Sequence, residues 1–149
     1  MAAATHGHRL VVGTAGRHVV VWDVRRTASP HARYDVHTEA VTQVRFQPAV
    51  NAPPILISGS MDGLICELDC QISDEDDAVI GIHNTESPIT SLGFFYANGA
   101  ASDAVATRAW ALSSTDELSL WDLGAAEQLR CYNDLVPHAA AEYLEDADD

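Results

Sequence analysis

An eleven-residue pattern occurs three times along this chain without a gap, and it constrains the fold more than any other feature. The windows cover residues 13–23, 59–69 and 112–122. Subtracting their end positions places successive copies 46 and 53 residues apart. Each window has the form of a strand, a tight turn and a second strand. These spacings are somewhat longer than the roughly 40 to 45 residues of a four-stranded repeat unit, with the excess expected in loops. A repeat of this kind predicts stacked strand units that bury their apolar faces against one another.

Short apolar runs separated by turn residues predict strands along most of the chain and little helix. Val19, Val20 and Val21 are apolar at consecutive positions, as expected of a strand that is packed on both faces. The sequence therefore predicts an all-β protein with sheet above and below such strands. The ten clear runs are residues 10–14, 18–22, 41–46, 55–60, 64–68, 79–83, 89–95, 108–113, 118–121 and 128–132.

The middle copy of the repeat is the most complete. His37 stands four residues before Val41, and residues 58–63 read Ser-Gly-Ser-Met-Asp-Gly. The first and third copies end in Trp-Asp pairs, at residues 22–23 and 121–122. These features resemble the blades of the WD-repeat family of β-propellers. Residues 58–64 and the acidic run after them further resemble the branch of that family typified by WD repeat-containing protein 89.

The resemblance implies a fold of all-β class: a partial WD-repeat β-propeller of about three four-stranded blades, which is not closed. The implied blades are residues 9–37, 38–84 and 85–135, with a flexible N-terminus at 1–8 and an acidic C-terminal tail at 136–149. A closed propeller needs about four to eight blades. Blade faces and strand edges would therefore stay open unless the chain associates with itself or is completed by further blades.

The resemblance also implies a hydrogen-bond network inside the middle blade. His37, a strand serine (Ser58 or Ser60) and Asp62 would form it. In the family a tryptophan normally completes this network, and this chain has Leu68 at that position. In the third blade, the corresponding structural residues would be Trp121 and Asp122.

The end of the first repeat is similar to a Trp-Asp-x-Arg box, through which many WD-repeat proteins dock on the DDB-type adaptor of cullin-4 ubiquitin ligases. Trp22 and Asp23 would belong to the box, and Arg25 would be the contact residue. An exposed arginine just past a strand end can form paired bonds to a carboxylate or to backbone carbonyls. The alternative is that Trp22 and Asp23 are ordinary blade residues and Arg25 is a solvated loop residue.

Charge narrows the choice of partners. The chain has 8 basic residues against 22 acidic ones, which gives a net charge of −14. Such a chain is repelled by nucleic acid backbones and by anionic lipid headgroups, and no apolar run reaches the roughly 18 residues of a membrane span. The acidic runs at residues 74–77 and 142–149 favour basic protein partners. We therefore expect protein partners, and neither nucleic acid nor a membrane.

Familiar catalytic signatures are missing. All 8 basic residues are arginines, so chemistry that needs a lysine is excluded. The acidic run at residues 74–77 lacks the glycine of a calcium loop, because Val79 stands at the sixth position. The three cysteines, Cys66, Cys70 and Cys131, are too few for a disulfide framework and favour the cytoplasm or nucleus. We expect no catalytic residue, no cofactor and no metal site.

Three functions remain open from the sequence. The first is a non-enzymatic WD-repeat scaffold that mediates protein–protein interactions. The second is a substrate receptor of a cullin-4 ubiquitin ligase, docked through the Trp-Asp-x-Arg box. The third is a truncated propeller fragment without independent function. Replacing Arg25 with alanine separates the first two, because only the receptor needs that side chain to reach its adaptor.

Overall fold

A computed structural model of the chain describes residues 2–13, 16–48, 53–95 and 107–133. These residues form three antiparallel four-stranded sheets, in each of which neighbouring strands follow chain order. The predicted all-β, three-bladed and unclosed architecture is confirmed. No helix in the described ranges is long and apolar enough to cross a membrane.

Each sheet is one blade. Blade 1 consists of β1 (Ala2–His6), β2 (Arg9–Gly13), β3 (Val19–Asp23) and β4 (Ala32–Tyr34). Blade 2 consists of β5 (Val41–Phe46), β6 (Ile55–Ser60), β7 (Leu64–Asp69) and β8 (Val79–Asn84), with the short helix α1 (Glu75–Ala78) before β8. Blade 3 consists of β9 (Ile89–Phe95), β10 (Arg108–Ser113), β11 (Leu118–Asp122) and β12 (Glu127–Tyr132).

The start of the chain differs from the prediction. Residues 1–8 were expected to be a flexible N-terminus, but Ala2–His6 forms strand β1 and pairs with β2 from Ala2↔Gly13 to His6↔Arg9. Three consecutive alanines give no strand periodicity, so this strand depends on tertiary contacts that the sequence pattern does not show. The His6 ring lies 5.4 Å from the ring of Phe46 in β5, centroid to centroid, which ties β1 to blade 2. Blade 1 therefore begins at residue 2 rather than 9, and the predicted tail at 136–149 lies outside the described residues.

Two apolar cores lie between the blades. Because side chains alternate along a strand, neighbouring apolar residues of β6 go to opposite sides: Leu56 packs toward blade 1 and Ile57 toward blade 3. The core between blades 1 and 2 includes Val19, Val21, Tyr34, Leu56 and Leu68. The core between blades 2 and 3 includes Ile57, Ile65, Ile89, Leu92 and Trp121.

Each terminal blade turns one face away from blade 2. In β10, Ala109 and Ala111 pack against blade 2, so Trp110 between them lies on the far face of blade 3. In β3, Val19 and Val21 pack against blade 2, and Trp22 follows on the far face of blade 1. Both tryptophans are only half-buried. The apolar patterning of both far faces is that of surfaces on which another sheet could pack.

Candidate interaction sites

A buried histidine network holds one end of blade 2. His37 accepts a hydrogen bond at Nε2 from the Ser58 hydroxyl (2.8 Å) and donates from Nδ1 to an Asp62 carboxylate oxygen (3.2 Å). The structure thus brings His37, Ser58 and Asp62 together. Ser60 has a different contact, because its hydroxyl accepts the Asp62 backbone N–H at 3.2 Å inside the turn. Leu68, which replaces the usual tryptophan, is buried in the core between blades 1 and 2.

Asp62 joins two loops at this end of the blade. Its carboxylate accepts the backbone N–H of Thr38 at 2.8 Å, from the loop between blades 1 and 2, and that of Leu64 at 3.0 Å, from the β6–β7 turn. Burial by itself would raise the pKa of Asp62, but these two N–H groups and His37 outweigh it and hold that pKa below its usual value. Burial lowers the pKa of His37, so its ring is neutral at pH 7.

Blade 3 uses a glutamate where blade 2 uses the histidine and the aspartate. Thr85 and Thr115 occupy the equivalent positions, and Glu117 takes over as the acceptor. Its carboxylate accepts the Ser87 hydroxyl at 2.7 Å and the Thr115 hydroxyl at 3.1 Å. These bonds, with that of Ser87 the stronger, hold the pKa of Glu117 below its usual value. Glu117 was not predicted from the sequence. A carboxylate two residues after Thr115 could have indicated it, because it can accept a hydrogen bond from the Thr115 hydroxyl.

The two other predicted structural residues of blade 3 lie near the end of β11. The Trp121 indole N–H donates to the Ser119 hydroxyl at 2.9 Å, and the ring packs toward blade 2. Asp122 accepts the backbone N–H of Ala125 at 3.1 Å and lies 3.6 Å from the Arg108 guanidinium. Both residues therefore stabilise the blade from within.

A polar groove lies between blades 2 and 3, beside Glu117. Its volume is about 410 Å³. One wall is the β8–β9 loop, residues 84–87, which includes Glu86, and the other is formed by Gln128, Cys131 and Asn133 of blade 3. The groove therefore combines two carboxylates with several amide and hydroxyl groups. It could not be found in the sequence, because its walls meet only when the blades stack.

Arg25 and Asp23 form a bidentate ion pair on blade 1. The pair lies where β3 ends, at the opposite end of the strands from the groove. Arg25 donates from Nε to Asp23 Oδ1 at 3.0 Å and from Nη2 to Oδ2 at 2.8 Å, and its backbone N–H adds a third bond at 3.0 Å. The hydrogen bonds from Arg25 hold the pKa of Asp23 well below its usual range. The Arg25 side chain is still 64% exposed. Trp22 is not part of this pair and lies on the far face of the blade.

Two of the three cysteines are inert. Cys66 and Cys70 are buried between the blades, and burial raises the pKa of each thiol to about 12. Cys131 is exposed at the edge of the groove. Among the described residues, no group of three or more His, Cys, Asp and Glu side chains could hold a metal ion.

Two curated proteins are similar to this chain in sequence. A WD repeat-containing protein 89 homolog from Dictyostelium discoideum is 41% identical over 96 residues, which are 64% of this chain and 24% of that protein. The WD repeat-containing protein GTS1 from Arabidopsis thaliana is 32% identical over 117 residues, which are 76% of this chain and 27% of that protein. The chain thus spans about a quarter of the length of these relatives. No family model matches it.

Two computationally designed proteins have a similar fold. The Ika4 protein superposes with a TM-score of 0.68 at 21% identity and matches 88% of this chain and 70% of its own length. The Ika8 protein superposes with a TM-score of 0.64 at 23% identity and matches 88% of this chain and 35% of its own length. At such low identity these likenesses show the arrangement of the blades alone.

Proposed function

We propose that this chain, which belongs to the WD-repeat family, is a non-enzymatic scaffold that holds a basic segment of another protein in the groove between blades 2 and 3. The observation that carries the proposal is the pair of carboxylates, Glu86 and Glu117, in a concave polar site. A carboxylate that accepts hydrogen bonds stays charged, and a charged acceptor bonds an arginine or lysine side chain more strongly than a neutral one does.

The groove also suits such a segment in size and in approach. A volume of about 410 Å³ falls in the range of roughly 300 to 1,000 Å³ that small binding sites occupy. Amide side chains such as Gln128 can pair with the backbone of an extended segment. The net charge of −14 attracts basic partners from a distance, and salt weakens that attraction.

Glu117→Gln tests the groove directly. We expect this variant to bind the peptide Gly-Arg-Gly-Arg-Gly about 5- to 10-fold more weakly at low ionic strength, because a charge-assisted hydrogen bond is lost while the shape is kept. Isothermal titration calorimetry measures the change. The matched control is Glu127→Gln, which removes the same charge at the far end of β12, outside the groove. Equal weakening in both variants would contradict the proposal.

A second function, that of a cullin-4 substrate receptor, is favoured by the geometry of Arg25. Its guanidinium is largely exposed, and the two bonds to Asp23 hold it in one orientation. An arginine that is already ordered loses less conformational entropy when it binds a carbonyl or carboxylate of a partner. In that arrangement the adaptor would cover one end of blade 1, and substrates would meet the acidic blades 2 and 3.

Arg25→Ala tests the receptor function. We expect that the tagged chain with this substitution no longer pulls down the purified cullin-4 adaptor, because the contact residue is lost. Arg26→Ala is the control, since it removes the same charge one residue away while the backbone bond from Arg26 to Asp23 is kept at 2.8 Å. Retention of the adaptor by both variants, or its absence with the parent chain, would contradict this function.

The far faces of blades 1 and 3 are the surfaces through which we expect further blades, or a second copy of the chain, to complete the ring. Trp22 on one face and Trp110 on the other would be the central apolar residues. The unpaired thiols of Cys66, Cys70 and Cys131 support a reducing compartment, so we place the scaffold in the cytoplasm or the nucleus. The net charge disfavours nucleic acid and anionic membranes as partners.

A further inference from the structure

The outer strand of blade 2 is an unprotected sheet edge. β8 is 6 residues long and contains no Asp, Glu or Arg. The outer strand of blade 1, β4, has only 3 residues and includes Arg33. In blade 3, β12 carries Glu127 and Arg130 and pairs through a register shift. Short length and charge are two usual ways in which proteins block sheet edges, and β8 uses neither of them. Like β12, β8 has a register shift in its pairing, between Glu67 and Leu68 of β7, but the ladder from Leu64↔Asn84 to Glu67↔Gly81 is regular.

The backbone of β8 offers free hydrogen-bonding groups on its outer side. Thr85 N–H donates to the Gly63 carbonyl at 2.9 Å, so these two residues are a hydrogen-bonded pair in the β7–β8 register. Such pairs alternate with non-bonded pairs along an antiparallel ladder. Cys66↔Ile82 and Leu64↔Asn84 are therefore of the non-bonded kind. The N–H and C=O groups of Ile82 and Asn84 point away from β7, toward solvent.

Two exposed isoleucines and the acidic helix α1 lie along this edge. Ile80 and Ile82 lie on the same face of β8 and are 55% and 54% exposed. The residue between them, Gly81, faces the other way, toward Glu67 and His83. The acidic helix α1 ends directly before β8, and its Asp76 and Asp77 are exposed. The edge thus presents apolar side chains beside free backbone groups, with negative charge at its N-terminal end.

We propose that this edge accepts an extended segment of a partner protein as a fifth, antiparallel strand of blade 2. Backbone bonds to Ile82 and Asn84 would supply affinity, and β-branched side chains of the segment would pack on Ile80 and Ile82. Because the strands run antiparallel, basic residues at the C-terminal end of the segment would reach Asp76 and Asp77. The proposal rests on the scaffold function, but it does not depend on the groove.

Charge favours a basic partner over a second copy of the chain. In an antiparallel β8–β8 pairing, the acidic helix of one copy would lie near Asn84 and Glu86 of the other. Each copy also has a net charge of −14. Like charges at close range oppose such pairing, whereas a basic segment is attracted by both features.

The test uses fluorescence anisotropy of a labelled peptide, Thr-Val-Thr-Ile-Thr-Arg-Arg, with the full chain. Two further peptides are compared: one with the arginines moved to the N-terminus, and one N-methylated at the residues whose backbone faces β8. We expect the first peptide to bind saturably, and N-methylation to weaken binding about tenfold or more, because two backbone bonds are lost. Moving the arginines should weaken it by a smaller factor, about threefold.

Protein variants locate the binding. Ile82→Lys should weaken binding of the first peptide about tenfold or more, whereas Val24→Lys, at an apolar residue that is 50% exposed on blade 1, should leave it unchanged. Glu117→Gln should weaken it by about twofold at most, far less than Ile82→Lys does, which separates this edge from the groove. If circular dichroism shows that Ile82→Lys disturbs the fold, the proposal is still tested by comparing the plain and N-methylated peptides on the unaltered chain.

Four results would overturn the proposal. They are a lack of saturable binding, equal binding of the N-methylated peptide, loss of binding in Glu117→Gln but not in Ile82→Lys, and a dimer of the chain that Ile82→Lys dissolves in the absence of peptide. The third result would place the peptide in the groove, and the fourth would make a second copy the occupant of the edge.

Discussion

Replacing Trp121 with alanine is expected to lower the free energy of unfolding by about 3–5 kcal/mol, the usual cost of truncating a buried aromatic side chain. The ring is buried between blades 2 and 3 with Ile57 and Ile65, and its centroid lies 5.8 Å from that of the His83 ring. Its removal would leave a cavity at the centre of that core and open a path for water to the buried His83–Glu67 pair. Urea denaturation followed by tryptophan fluorescence and circular dichroism measures the loss.

Trp22→Ala is the matched control, because Trp22 and Trp121 occupy the same position of the repeat. Each faces the side of the preceding blade, but blade 1 has no described sheet on that side, and Trp22 is only half-buried. The expected loss for Trp22→Ala is therefore about 1–2 kcal/mol. Equal losses for the two substitutions would mean that Trp121 does not lie in a core between stacked blades.

Asp62→Ala is expected to lower the free energy of unfolding by about 1–3 kcal/mol, the usual cost of leaving a buried hydrogen-bonding group without its partner. The substitution removes the acceptor for the backbone N–H groups of Thr38 and Leu64 and leaves His37 without a partner at Nδ1. His37 is buried, so its Nδ1–H would carry the desolvation cost of an unpaired donor, whereas the N–H of the exposed Thr38 can bond water instead. Urea denaturation at pH 7 gives the change, and amide hydrogen exchange at Thr38 and Leu64 should accelerate.

Asp77→Ala is the control for the loss of one carboxylate. Asp77 is exposed in α1, so its removal should change the free energy of unfolding by no more than about 0.5 kcal/mol. A similarly small effect of Asp62→Ala would show that the network does not hold the loops at that end of blade 2.

Local signals account for the parts of this fold that the sequence predicts. Strand pairs such as β6 and β7 have alternating or continuous apolar runs that flank a turn, and Gly63 at that turn adopts the positive φ of +81° that glycine allows. The resemblance to WD-repeat blades implies that His37 and Asp62 meet, and the structure brings them together with Ser58.

Long-range contacts account for what the sequence could not predict. Strand β1 has no periodicity of its own and depends on pairing with β2 and on the contact with Phe46. The groove forms only where the β8–β9 loop of blade 2 meets β12. The ion pair of Arg25 with Asp23 depends on the backbone conformation of the turn after β3, which the local sequence pattern does not specify. These features need the positions of neighbouring strands, which a single sequence does not contain.

The most direct test of the scaffold account is a nuclear magnetic resonance titration of the isotope-labelled chain with the peptide Gly-Arg-Gly-Arg-Gly, followed through the backbone amide shifts. The account predicts saturable changes that are largest at residues 84–87, at Glu117 and at residues 128–133, around the groove between blades 2 and 3. Changes that do not saturate, or that are largest at residues 23–31 at the opposite end of blade 1, would contradict it.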